Sequence, residues 1–262
     1  MPTCPIDQRI SISNRSVERA LAILRAFRPG IDHLGNLELS ERTGLARSTV
    51  SRLTQTLVQA GFLNYDVSTG GYWLGAPLLS LGHAARLSSE VLNFALPEMR
   101  KTAEDYRINM GLAVADQTDM VYLESIRFSQ GELSRNIVCG SRAPIELTAL
   151  GRAYLSTLGT EQRTGLLETL RNRNPGDWDD VLSGIEGSLE ELRSVGYCAV
   201  TWQAGITSIA APLGLTHLPP YVFNVSYAVS DFTRHRAETV LTPLLLGLVE
   251  RVRVEFGGSG CR

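Results

Sequence analysis

The side chains able to do covalent or acid–base chemistry are few and scattered. His33, His83, His217 and His235 stand in no H-E-x-x-H spacing, and Cys4, Cys139, Cys198 and Cys261 form no C-x-x-C pair. Those spacings bring ligands to one side of a metal, so no metal site and no cofactor is expected. No G-x-S-x-G elbow and no GxxxxGK(S/T) phosphate loop is present. Cys198 and Ser208 carry nucleophilic atoms, but the sequence sets no base beside either, and a small polar residue in a buried strand is the plainer reading. An enzyme is not expected. Hydrogen-bonding side chains, by contrast, are concentrated. Between Ala46 and Gly61, Arg47, Ser48, Thr49, Ser51, Arg52 and Gln55 interleave with Val50, Leu53 and Leu57 at i, i+3, i+7. That spacing makes a helix with one apolar stripe and one polar face carrying two guanidinium groups. Such a face suits the DNA major groove, which admits a helix and displays donors and acceptors on base edges.

A reading helix must be held by others. Asn36–Phe62 reads as two short helices joined at Thr43-Gly44-Leu45, where glycine permits the tight turn. Asn36 is expected to cap the first, with Leu37 and Leu39 filling the core, and Gly61 to end the second. An earlier helix is expected from a Ser16 N-cap, with Val17, Leu21 and Leu24 inward, ending at Pro29-Gly30. After Phe62–Asp66, the turn Ser68-Thr69-Gly70-Gly71 leads to Tyr72-Trp73-Leu74, a β-hairpin pattern. Helix, helix, turn, helix, hairpin is the order of a winged helix-turn-helix. Residues 1–75 are assigned to it, Met1–Asn14 being a disordered arm.

Residues 76–90 are read as a linker helix, with Leu78, Leu79 and Leu81 beside Gly82, Ala84 and Ala85. Residues 91–262 form a second domain. A helix over Val91–Asp105 is expected to be interrupted near Pro97. Strands are expected at Met110–Val114, Met120–Ser125, Ser134–Cys139, Tyr197–Thr201, Ile206–Pro212 and Val222–Val229. Helices are expected at Thr148–Leu158, Thr160–Leu170, Val181–Val195 and Thr233–Glu255, with a loop at Asn174-Pro175-Gly176 and a flexible tail. Strands and helices do not alternate strictly, so a mainly antiparallel sheet with packed helices, an α+β class, is expected.

In this second domain Pro144-Ile145-Glu146-Leu147 leads into a helix capped by Thr148, whose free N–H groups attract anions. Ala149 and Gly151 would leave room for a ligand, while Ile206, Ser208, Asn224 and Ser226 could face it from two strands. The same side chains also suit core positions and caps.

SVERALAIL (16–24), RTGLARSTVSRL (42–53), GGYWLG (70–75) and LLSLG (78–82) resemble the DNA-binding half of the isocitrate-lyase-regulator (IclR) family of bacterial transcription factors. GSRAPIELTALGRA (140–153) and AGITSIAAPL (204–213) resemble that family's effector-binding half, in the right order along nearly the whole chain. The resemblance implies a second domain related to GAF and PAS sensor modules. It also implies effector contacts at Ala149, Leu150, Cys198, Ile206, Ser208, Asn224 and Ser226, a small organic or aromatic acid as effector, and homodimers or homotetramers on a pseudo-palindromic double-stranded operator. Departures stand at Glu146-Leu147, where His-Ala is common in the family, at Cys198, Gln203 and Thr207-Ser208, and at Leu218–Tyr221. Glu146 near a pocket mouth would disfavour an anion unless it points away or is protonated. Two alternatives remain: a ligand-sensing or protein-interaction module without DNA binding, and an enzyme acting on a small acid.

Composition sets the outer limits. With 262 residues, 44% hydrophobic and 20% charged, the chain is an ordinary globular one, long enough for two domains. Net charge is −2, so bulk charge does not announce nucleic acid; the first 75 residues hold eight Arg against six Asp and Glu, a mild +2. Lys101 is the one lysine. The start MPTCPIDQRIS has no apolar core like that of a signal peptide, and no apolar run approaches a membrane span, so a cytoplasmic location with no membrane partner is expected.

Overall fold

A computed structural model of the chain describes residues 14–31, 33–128, 137–173 and 176–258. The expected arm before Asn14, the residues 134–136 of one expected strand, Asn174-Pro175 and the last four residues lie outside these. The chain divides into two compact units, Met1–Arg86 and Leu87–Arg262.

The first unit contains α1 (Arg15–Arg25), β1 (Leu34–Gly35), α2 (Asn36–Thr43), α3 (Arg47–Gln59), β2 (Leu63–Asp66) and β3 (Gly71–Leu74). The N-cap of α1 is Asn14 rather than Ser16: its side-chain oxygen accepts from the backbone N–H of Ser16 and Val17 at 3.1 and 3.4 Å. The buried face of α1 is also a different one. Ile23, Ala26 and Phe27 are buried, whereas Val17 and Leu21 are exposed. On α2 the cap is Gly35, whose N–H donates to the Glu38 carboxylate at 2.8 Å, so Asn36 is already helical. Leu39 is buried and Leu37 is exposed, which corrects the expectation for Leu37.

The turn between α2 and α3 is pinned from both sides. Gly44 has φ 69°, a left-handed value that costs glycine little. The Ser40 hydroxyl donates to the Leu45 carbonyl at 2.6 Å, and Thr43 Oγ1 accepts from the Leu45 N–H at 3.3 Å. Val50, Leu53, Thr54 and Leu57 bury the inner face of α3. Its end is closed by Phe62 N–H to Leu57 O at 2.9 Å and Gly61 N–H to Val58 O at 3.0 Å. The hairpin gains a third strand, giving the order β1-β3-β2. β1 is only two residues long, too short to leave an alternating pattern in the sequence. α4 (Ala76–Leu87) follows, with none of its residues buried.

The second unit contains α5 (Glu90–Tyr106), β4 (Asn109–Asp116), β5 (Asp119–Arg127), β6 (Arg142–Pro144), α6 (Ala149–Thr157), α7 (Thr160–Arg171), α8 (Trp178–Val195), β7 (Cys198–Gln203), β8 (Ile206–Pro212) and β9 (Val222–Ala228). A closing helical segment runs from α9 (Arg234–Arg236) through a π-helical stretch, Ala237–Leu241, into α10 (Thr242–Gly257). Pro97 does not interrupt α5, which is continuous from its Ser89 cap. Pro243 acts more visibly. It has no N–H and its ring would meet the carbonyl four residues back, and just before it the Thr242 N–H bonds five residues back, to Ala237. The expected strand ending at Cys139 is not formed over its described residues 137–139; the edge strand is β6 instead.

All six strands form one antiparallel sheet in the order β6-β5-β4-β9-β8-β7. One face, with Met110, Leu112, Ile209, Phe223 and Val225, packs against Met99 of α5 and Leu245 and Val249 of α10. The other, with Ala113, Tyr122, Ala210 and Val222, packs against Leu150 of α6 and Ile185 and Leu189 of α8. The strand period of two sorts residues between these cores. Among the described residues no helix is long and apolar enough to cross a membrane.

Candidate nucleic-acid interface and ligand pocket

On α3, Arg47, Ser48, Arg52 and Gln55 are exposed, while Thr49 and Ser51 are half-buried. The start of α3 is electrostatically bare. Its N-cap is Ala46, which makes no side-chain cap bond, and no acidic residue stands in its first turn. Unsatisfied N–H groups and the positive end of the helix dipole therefore lie beside Arg47, an arrangement that attracts phosphate. Beyond them, the exposed hydroxyl of Ser48 and side chains of Arg52 and Gln55 carry donors and acceptors of the kind that meet base edges or phosphates. The wing tip is the expected turn Ser68-Thr69-Gly70-Gly71, and Asp66 holds it. There Asp66 accepts from the Ser68 N–H at 2.8 Å and from the hydroxyls of Ser68 and Thr69 at 2.7 and 3.0 Å. These bonds hold the Asp66 carboxyl below its usual range.

In the second unit a cavity opens between the start of α6 and the face of the sheet. The cavity has a volume of about 80 Å³ and is partly open to solvent, room for a compact organic molecule. Six of the seven expected effector residues line it: Ala149, Leu150, Ile206, Ser208, Asn224 and Ser226. Register explains why. Ser226 pairs with Ser208, and Asn224 lies two residues along the same strand, so all three point to one face. The Asn224 side-chain N–H donates to Ser208 Oγ at 3.0 Å.

Cys198 is the exception. It is fully buried behind the wall, its thiol 3.5 Å from the Ala149 carbonyl. Burial pushes that thiol up to about 12, Glu191 adds to the effect, and Arg152 opposes it. A thiol held protonated is no nucleophile. Gly151 also differs from expectation. A Cβ there would overlap the backbone of Ile145, so the missing side chain lets α6 approach the chain segment before it and does not make room for ligand. Thr148 caps α6 as expected, accepting from the Gly151 N–H at 3.2 Å.

Glu146 does not stand at the pocket mouth. It is buried, 3.8 Å from Arg173 Nε, and forms no part of the cavity lining. Lining residues that the sequence did not single out include Tyr122, Arg127, Arg142 and Ala143 on the β5–β6 side, Ile137, and Val200 and Trp202 on β7; Gln203, one of the departures from the family pattern, lines the cavity too. Extending the alternation of β5 two residues past Ser125 would have placed Arg127 on the pocket face. Burial raises the Tyr122 hydroxyl, with the Arg127 charge opposing. Among the described residues no group of three or more His, Cys, Asp or Glu is placed to hold a metal.

Comparison with known proteins settles the family. The IclR helix-turn-helix domain model matches residues 16–67, and the model for the C-terminal domain of bacterial transcriptional regulator IclR matches residues 83–251. The chain belongs to the IclR family. Its members are transcription regulators and not enzymes. The IclR-family chain is 29% identical over 245 residues to the HTH-type transcriptional regulator TsaQ1/TsaQ2 of Comamonas testosteroni, covering 92% of this chain and 88% of that one. A crystal structure of an IclR family transcriptional regulator from Brucella abortus matches with TM-score 0.85 and 30% identity, over 97% of this chain and 96% of that one. An IclR homolog from Microbacterium hydrocarbonoxydans, solved in complex with 4-hydroxybenzoate, shares the fold at TM-score 0.68 and 20% identity, over 93% and 99%.

Proposed function

We propose that this IclR-family regulator acts in the cytoplasm as a homodimer or homotetramer. Paired α3 helices read a pseudo-palindromic operator, and a small organic or aromatic acid in the α6 cavity changes that binding. The observation that carries this reading is the cavity itself: apolar walls from Leu150 and Ile206, polar groups from Ser208, Asn224 and Ser226, and a capped helix start, in a space of small-molecule size. The 4-hydroxybenzoate held by the Microbacterium homolog gives the acid class its first candidate. DNA reading is supported by the exposed Arg47, Ser48, Arg52 and Gln55 beside the bare start of α3. Pairing is supported by apolar side chains that the single chain leaves open, Val17 and Leu21 on α1 and Leu79 and Leu81 on α4, since one short helix reads too few base pairs for genomic specificity.

The test has two stages. The protein is titrated at several salt concentrations into the DNA upstream of its own coding sequence, and retention should fall steeply with salt if phosphates carry the contact. A panel of small carboxylic acids is then screened by thermal shift and for release of that DNA. Because coupling is reciprocal, an acid that weakens DNA binding must itself bind the DNA complex less tightly. A protein that binds no DNA yet is stabilised by acids would favour a sensing module instead.

A further inference from the structure

The cavity contains a cation that no carboxylate of the described residues pairs with. Arg127 ends β5 and lines the pocket. Its Nε donates to Ser125 Oγ at 3.0 Å and to the Ile137 carbonyl at 3.3 Å, and among the described residues no carboxylate forms an ion pair with it. The other arginine of the lining is different: Arg142 is bound to Asp116 at 2.8 Å and Asp119 at 3.1 Å, so its charge is committed. A guanidinium drawn partly out of water costs free energy unless an anion meets it.

A second polar atom is also unmet. Among the described residues the buried Asn224 Oδ1 has no hydrogen-bond partner, while the amide N–H side of Asn224 serves Ser208 and the Tyr122 oxygen. Register relates the two. Asn224 lies opposite Gly111 and Gly111 opposite Ser125, whose hydroxyl accepts from Arg127 Nε at 3.0 Å. With strands ~4.8 Å apart, the backbones of Ser125 and Asn224 are separated by roughly 10 Å. The arginine's own length shortens that gap to what a compact molecule spans.

Resting on the reading that the cavity takes an acid, we propose that Arg127, not the start of α6, is the carboxylate anchor, and that Asn224 Oδ1 accepts a hydroxyl of the same ligand. The ligand is then a compact monocarboxylic acid bearing a hydroxyl group. A dicarboxylate is disfavoured, because its second carboxylate would meet the Asn224 oxygen, acceptor against acceptor.

The experiment uses the full chain and a fixed panel: lactate, 3-hydroxybenzoate and 4-hydroxybenzoate, each beside its dehydroxylated acid and its amide, titrated calorimetrically. Wild type should bind at least one hydroxy acid, with the matching amide at least tenfold weaker. Arg127→Gln should raise that Kd at least thirtyfold while the ligand-free protein melts no lower than wild type, since an uncompensated charge has been removed. A purely structural arginine would show the opposite, a lower ligand-free melting temperature with affinity intact. Arg127→Lys, which retains the charge but loses the fork, should bind at intermediate strength and covers the case in which the glutamine variant fails to fold. If no acid of the panel binds wild type, the acid-sensing reading falls and the anchor with it. If the hydroxy acid binds Arg127→Gln as tightly as wild type, the anchor alone falls. If a dehydroxylated acid binds as well as its parent, the role of Asn224 falls.

Discussion

Asp119 Oδ2 lies 3.1 Å from Arg142 Nε, and the same carboxylate's Oδ1 lies 3.0 Å from Arg173 Nη1. Asp119 is only 1% exposed. One buried carboxylate thus ties β6, which carries Arg142 into the pocket wall, to Arg173 in the segment just after α7. Removing one partner of a buried ion pair leaves the other charge stranded and typically costs about 3–5 kcal/mol. Asp119→Ala should destabilise the second unit by about that amount, read as a lower denaturant midpoint. A loss under 1 kcal/mol would mean that the network contributes little to the fold.

The face of α3 is tested by charge removal. If Arg47 or Arg52 contacts a guanine, its replacement by Ala should cost ~1–3 kcal/mol and relax one operator position. If it contacts phosphate only, affinity should fall evenly across sequences and the salt slope should shrink. Binding to an operator library at several salt concentrations separates the two. Wild-type-like binding by the Arg47→Ala, Arg52→Ala double variant would remove α3 from the interface.

The cavity is tested by filling it. Ile206 is half-buried at its edge, so a larger side chain there occupies pocket space without displacing the deep core. Ile206→Trp should abolish the rise in melting temperature given by an effector acid. A ligand at 100 times its Kd is worth roughly 2.7 kcal/mol, so the loss is readily seen. DNA binding by the ligand-free variant should persist. A full ligand response in Ile206→Trp would place the site elsewhere.

The Cys198 thiol, pushed up to about 12 by burial, has a pH signature. Its ordinary value is near 9, so between pH 9 and 12 the unfolded chain has released the proton and the native one still holds it. The native state then binds more protons, and stability falls as pH rises through that window, by up to about 1.4 kcal/mol per unit; below pH 9 the contribution is complete. At pH 8 iodoacetamide should modify the exposed Cys139 and spare Cys198 until the protein is unfolded, as peptide mass mapping would report. Rapid native-state labelling of Cys198 would show that the wall behind Ala149 opens.

Assembly is tested at the uncovered apolar residues. Leu21 is 46% and Leu79 80% exposed in the single chain. If they are covered by a second copy, the Leu21→Glu, Leu79→Glu double variant should weaken association at least tenfold, about 1.4 kcal/mol, and sedimentation at micromolar concentration should reveal monomer. An unchanged oligomer would locate the contact on the second unit.

Local pattern was enough to place much of this protein. The i, i+3, i+7 stripe of Val50, Leu53 and Leu57 dictates both the helix and the face left outward, because helical period alone decides which side chains share a side. Gly44 and the Thr148 cap likewise follow from backbone and hydrogen-bond requirements of adjacent residues. The period-two alternation of β8 and β9 put Ser208, Asn224 and Ser226 on one face before any register was known. What local pattern does not contain is which of several apolar faces finds a partner. Val17 and Leu21 repeat at helical spacing as well as Ile23 and Phe27 do, and only the packing of α1 against its neighbours chose the latter pair. β1 and β6 are two and three residues long, too short for a periodic signal, and exist because a neighbouring strand offers them hydrogen bonds. The pocket's charge was decided in the same non-local way. Arg127 and Arg142 are both arginines on strands at one edge of the sheet, and nothing near them in sequence tells them apart. The β4–β5 turn carries Asp116 and Asp119 to Arg142, while Arg127, at the far end of β5, lines the cavity with no acid of the described residues paired to it.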